Sequence, residues 1–153
     1  MCLVLLLAAV FSLAASSLAF KNTGSAIIDS QPPVVSIPVR NIEFKAKFPV
    51  PETLTSKQTI RRLVCTFRYE NVYRGLNIYL GYYNRENVFD RIAIQLDSGK
   101  YQRTATDHFN GMSATTEFYL VFSYPSNRRT IQPQTIIRNI KLTLDWEIDE
   151  SGR

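Results

Sequence analysis

The chain has 153 residues, with 18 Lys and Arg against 13 Asp and Glu, one histidine, two cysteines and a formal net charge of +5. That length fits a single domain around one hydrophobic core. So few cysteines and histidines exclude a multi-disulfide framework and a four-ligand structural zinc site, and the modest positive balance favours anionic surfaces without choosing among them.

Residues 1–19 have the pattern of an export signal: an apolar run from Leu3 to Leu13, too short for the roughly 20 residues of a membrane-spanning helix, then small residues ending at Ser17-Leu18-Ala19. Cleavage is expected after Ala19, so the location expected of the protein is secreted and extracellular. Cys2 then leaves with the signal, and Cys65 remains alone. No later stretch is apolar enough to cross a bilayer. Residues 20–38 are small, polar and broken by Pro32-Pro33 and Pro38, which predicts an extended N-terminal arm with an edge strand around Val34 to Ile37.

The domain is predicted over residues 39–148, with a charged tail at 149–153. Ile42, Phe44, Ala46 and Phe48 alternate with Glu43, Lys45 and Lys47, which face water, until Pro49 and Pro51 end that strand. The polar stretch from Glu52 to Gln58 suits one helical turn. A strand follows over Thr59 to Tyr69, with Leu63, Cys65, Phe67 and Tyr69 in alternation. Leu76, Ile78, Leu80 and Tyr82 then share one face of a strand whose other face carries Asn77, Tyr79, Gly81 and Tyr83.

Asn84 to Asn87 reads as a turn, and Ile92, Ile94 and Leu96 alternate beyond it. Asp97-Ser98-Gly99-Lys100 reads as a hairpin whose glycine supplies a positive φ. A polar strand from Tyr101 to Phe109 ends at a second tight turn, Asn110-Gly111. Phe118, Leu120, Phe122 and Tyr124 form another apolar row. The last strand carries Ile136, Ile140, Leu142, Leu144, Trp146 and Ile148 between Lys141, Thr143, Asp145 and Glu147. About eight strands spaced near ten residues apart specify an all-β protein, a single antiparallel β-sandwich of jelly-roll type.

Within this pattern, Gly99-Lys100-Tyr101-Gln102-Arg103-Thr104, Phe118-Tyr119-Leu120-Val121-Phe122-Ser123 and Ile137-Arg138-Asn139-Ile140-Lys141-Leu142 are informative. They resemble the closing half of galactose-binding-like jelly rolls and carbohydrate-binding modules, where G-x-W/Y-x-x-y, L-x-F and I-D-N-I-x-L strands recur in this order. The resemblance covers residues 99–144 and implies the fold and an affinity for carbohydrate. Arg138 stands where that family commonly has aspartate, so the resemblance implies no metal site.

Catalytic signatures are lacking. There is no G-x-S-x-G elbow, and His108, the only histidine, lies beside the Asn110-Gly111 turn. Asp97, Asp107, Glu117 and Asp145 are among many carboxylates that could pair, so a small glycoside hydrolase is the third reading. No cofactor is expected; calcium would have to use Asp90, Asp97 or Asp107.

Eight tyrosines and nine phenylalanines exceed what the strands need, and tyrosine faces stack on sugar C–H groups. The expected ligand-binding residues are Tyr79, Tyr83, Tyr101 and Tyr119, with amides from Asn77 and Asn84, and Gln95 as a further donor. Arg128 and Arg129 would tune the site toward acidic sugars. The reading is a secreted, non-enzymatic module for extracellular glycan or an anionic surface, nucleic acid being unsuited to an exported protein without a nucleic-acid motif. The alternative is a secreted protein-interaction or effector domain using an exposed strand edge or Cys65.

Overall fold

The computed structural model describes residues 21–39, 42–125 and 130–148. Among them there is no helix, and nine strands form two antiparallel sheets packed as a sandwich: β1 (Asn22–Asp29), β2 (Val34–Val39), β3 (Glu43–Phe48), β4 (Thr59–Glu70), β5 (Asn77–Tyr83), β6 (Phe89–Ala93), β7 (Tyr101–Thr106), β8 (Phe118–Ser123) and β9 (Thr130–Ile148). One sheet runs β1-β9-β4-β7 with β2 also on β9, and the other runs β3-β8-β5-β6. The pairs β2/β9, β3/β8, β4/β7 and β5/β6 are nested, as in one long hairpin rolled upon itself. That is the jelly-roll connection.

The inward rows meet as their alternation requires. Phe67 packs edge-on to Phe122 with centroids 6.0 Å apart, and Phe48, Leu63, Leu80, Leu120, Leu142 and Leu144 are fully buried around them. The segment expected as an arm with one edge strand, residues 20–38, instead contributes to two strands, β1 and β2. β1 pairs with β9 along its whole length, which buries Ile28.

β9 departs from simple alternation at Asn139. Asn139 has φ 54°, and between Thr66 and Arg68 the pairing of β4 with β9 slips by one residue. A bulge with its extra residue in the left-handed region, which asparagine tolerates, reverses the phase of the strand. Thr135 and Ile137 therefore point inward before it, and Ile140, Leu142 and Leu144 after it. Ile136, assigned to the inward row by period, is instead half-buried on the opposite side.

Two local expectations are corrected. Asp97 to Lys100 is not a hairpin: β6 and β7 lie in different sheets, and residues 94–100 cross between them. Gly99 has no positive φ, unlike Gly75 and Gly111. The crossing is held by Gln102, whose buried side-chain oxygen accepts the Asp97 N–H at 3.0 Å, and by Tyr69, whose hydroxyl donates to the Asp97 carbonyl at 2.6 Å. Residues 52–58 form successive turns rather than a helical turn, with Leu54 N–H on the Pro51 carbonyl and Gln58 N–H on the Thr55 carbonyl. The Asn84–Asn87 turn and the Asn110-Gly111 turn are present as expected.

A buried polar chain closes one end of the core. Tyr73 N–H donates to the Tyr124 hydroxyl at 3.0 Å, that hydroxyl shares a 2.9 Å hydrogen bond with Thr135 Oγ1, and Thr135 donates to the Asn71 carbonyl at 2.7 Å. Thr135→Val would strip a partner from both neighbours without changing shape, and it should lower the unfolding free energy by about 1–3 kcal/mol, measured by urea denaturation. Cys65 is fully buried, and burial pushes its thiol up to about 12. A thiol reagent should leave it unmodified in the native protein and label it once denatured.

Candidate functional site

The outer face of the four-stranded sheet collects the side chains best suited to binding. Register sets them in rows: Lys45, Val121, Tyr79 and Ala93 lie across the four strands, and Lys47, Tyr119, Gly81 and Arg91 form the next row. Tyr83 faces Phe89 beyond them. Three aromatic rings are in contact here, with centroids 5.0 Å apart for Tyr83 and Phe89 and 5.3 Å for Tyr83 and Tyr119. The Arg91 guanidinium lies 4.2 Å from the Tyr79 ring centroid, within cation–π range.

Gly81 makes this arrangement possible. A Cβ there would sit 2.1 Å from the Asp90 carbonyl oxygen and 2.8 Å from Arg91 Cβ. The bare backbone lets β6 approach, and so brings Arg91 over Tyr79.

Charges along the strip are mostly matched. Lys45 donates to the Tyr83 hydroxyl, lies 5.1 Å from its ring centroid and is 3.8 Å from Glu43. Lys47 Nζ is 2.6 Å from Glu117 Oε2, and Tyr119 donates its hydroxyl to the same carboxylate. Burial pushes the Glu117 carboxyl upward, but hydrogen bonds from Lys47 and Tyr119, with the charge of Lys47, outweigh it and hold it below the usual carboxylate range. Such a group stays ionised at neutral pH and is unsuited to act as a glycosidase general acid. The hydrogen bond to Glu117, with burial and the negative charge of the carboxylate, pushes Tyr119 up to about 12.

A shallow pocket adjoins each end of β5. One, of about 390 Å³, includes Asn77, Tyr79, Gln95, Tyr73 and Leu76 in its lining. The other, of about 440 Å³, includes Tyr83, Asn84, Arg85, Glu117 and Tyr119. The strand between them has seven residues, so the strip spans about 20 Å.

Of the residues expected from sequence, Tyr79, Tyr83, Tyr119 and Asn77 are brought onto this one face, and Asn84 borders its far end. Asn84 has a structural duty as well: its side-chain oxygen accepts the N–H groups of Glu86 and Val88 and ties the β5–β6 turn. Tyr101 does not belong with them. It stands on β7, exposed on the outer face of the other sheet, because β7 pairs with β4. Arg128 and Arg129 lie outside the described residues. Sequence reasoning missed Phe89 and Arg91, whose strand begins three residues before Ile92, and did not connect Lys45 and Lys47 with the tyrosines, since only strand pairing does so.

Other candidate chemistry does not assemble. His108 is exposed, 3.8 Å from Asp90 and packed on Phe109, whereas Cys65 is in the core, so the two form no nucleophile–base pair. Among the described residues no group of three His, Cys, Asp or Glu side chains is placed to hold a metal ion. Trp146 is half-buried against the core, and its indole covers Gly24 so closely that a Cβ there would lie 2.3 Å from the ring.

No family model matches the chain, and no curated protein matches it. Among solved structures it is similar to the crystal structure of FlhE, with a TM-score of 0.54 at 14% identity over 83% of this chain and 96% of that one. It is also similar to a family 11 carbohydrate-binding module from Clostridium thermocellum in complex with a β-1,3-1,4-mixed-linked tetrasaccharide, with a TM-score of 0.39 at 12% identity over 80% and 82% of the two chains. The coat protein of Tobacco streak virus matches with a TM-score of 0.37 at 13% identity over 91% and 92%. The likeness to FlhE is one of fold alone.

The Glu117–Tyr119 contact has a pH signature. Tyr119 keeps its proton more tightly when folded, so its stabilisation is complete below about 10, the ordinary tyrosine value, and is lost as pH rises through about 12. Glu117 acts oppositely: its contribution is present above the ordinary carboxyl value and is lost as pH falls through its lowered folded value. Ultraviolet titration of tyrosinate should show one residue ionising near 12, and Glu117→Gln should bring that step down.

Proposed function

We propose that this protein is a secreted, non-enzymatic binding module that recognises extracellular carbohydrate along the outer face of its four-stranded sheet. The observation that carries the reading is the strip of Tyr79, Tyr83, Phe89, Tyr119 and Arg91 between two shallow pockets, with Asn77 and Gln95 at one end and Asn84 at the other. Aromatic rings and the plane of a guanidinium offer flat surfaces to sugar C–H groups, while amides and Glu117 supply directional hydrogen bonds to hydroxyls.

The charge pattern refines the ligand. Lys45 and Lys47 each have an acidic neighbour on the face, Glu43 and Glu117, and Arg91 is held over Tyr79. A neutral or weakly acidic glycan running along β5 fits this balance better than a densely sulfated chain. The alternative reading as a protein-interaction domain loses one of its two supports, because the buried Cys65 is not placed to form an intermolecular disulfide.

A glycan array probed at two salt concentrations tests the proposal. Saturable binding to defined neutral sugars, little changed by salt, is the expected result. Tyr83→Ala and Tyr119→Ala should each weaken that binding at least about tenfold, equivalent to ~1.4 kcal/mol, while the far-ultraviolet circular dichroism stays that of the parent. Silence across the array combined with concentration-dependent self-association would instead favour the protein-interaction reading.

A further inference from the structure

The opposite face of the sandwich carries a second, chemically different surface. Of the five large apolar side chains standing exposed among the described residues, Ile27, Val34 and Tyr101 lie on the outer face of the five-stranded sheet, with 67%, 49% and 52% of their surface open to solvent. Their neighbours Ile28, Val35 and Gln102 are buried, as alternation requires. Register joins Val34, Arg138, Arg68 and Tyr101 in one row across β2, β9, β4 and β7. The next outward row is Asp29, Lys141, Thr66 and Arg103, and the one beyond is Ile27, Thr143, Val64 and Ala105.

Two of the four cations in these rows are matched: Arg138 lies 3.3 Å from Glu70, and Lys141 lies 3.5 Å from Asp29. Arg68 and Arg103 are exposed and have no ion pair among the described residues. These rows therefore combine a net positive charge with exposed aliphatic groups and an exposed tyrosine. A soluble polyanion would be served by the arginines and would gain nothing from Ile27 and Val34. A bilayer surface uses all of them: anionic headgroups attract the cations, the tyrosine ring settles at the headgroup level, and the aliphatic groups leave water.

We propose that the Val34–Arg68–Tyr101–Arg103 face docks on an anionic lipid bilayer, leaving the aromatic strip of the opposite sheet turned outward. Attraction of Arg68 and Arg103 to headgroups is screened by salt, whereas burial of Ile27, Val34 and Tyr101 is not. Both terms are needed because neither two free cations nor three scattered apolar side chains hold a protein on a membrane by themselves.

Co-sedimentation with vesicles tests this, using pure phosphatidylcholine and phosphatidylcholine mixed with phosphatidylglycerol. The protein is expected to sediment with the mixed vesicles and not with the neutral ones, and less at high salt. Arg68→Gln with Arg103→Gln should lower partitioning at least about tenfold, two surface charges being removed. Ile27→Ser with Tyr101→Ser should also lower it although every arginine remains. All four positions are exposed, so an unchanged thermal midpoint serves as the folding control, and Tyr83→Ala should leave vesicle binding intact whether or not it affects glycans. Failure to sediment with either vesicle overturns the proposal. So does binding that depends on the arginines, is indifferent to Ile27 and Tyr101, and is reproduced by soluble heparin, which would mark a polyanion site.

Discussion

The molecule depends on one strand satisfying three neighbours at once. β9 carries β1 and β2 along one edge and β4 along the other, so its nineteen residues must present a continuous apolar side to the core while keeping hydrogen bonds to both edges. Strict alternation would send Ile137 and Ile140 to opposite faces. The bulge at Asn139 absorbs the odd spacing, and an asparagine at φ 54° accepts a backbone conformation that a β-branched residue would resist. With the phase reversed there, Ile37 and Val35 of β2 and Ile28 of β1 can all bury against the same core.

The nested pairing that β9 closes also decides where chemistry can occur. Strands remote in sequence become neighbours, and each outer face acquires residues from several of them. The face of the four-stranded sheet becomes a contiguous strip of aromatic rings in which Lys45 and Lys47 have acidic neighbours. The face of the five-stranded sheet gathers Arg68 and Arg103 without ion pairs among the described residues, beside exposed aliphatic groups. The two outer faces thus acquire different chemistry, one a strip of aromatic rings and the other a row of arginines beside exposed apolar groups, a division that composition does not reveal.

Burial pattern and turn chemistry were readable from residue order. The inward rows of β4, β5 and β8, the burial of Cys65, the Asn84–Asn87 turn and the left-handed glycine at Gly111 all follow from local alternation or from the conformational demands of a few residues. The outward facing of Tyr79, Tyr83 and Tyr119 was equally legible, because each falls out of phase with the inward apolar row of its own strand. Asn84 shows the limit of such reading. Its amide was expected to read a ligand, and its side-chain oxygen is engaged in holding its own turn.

Residue order alone specifies that the chain folds as antiparallel strands and which side of most of them is apolar, because a period of two is a property of each strand alone. Strand pairing in space set the rest: residues 94–100 cross between sheets, Tyr101 stands apart from the other tyrosines, and Phe89 and Arg91 join them. Partner choice and register arise from contacts between residues far apart in the chain. Alternation within one segment is the same whichever sheet that segment enters.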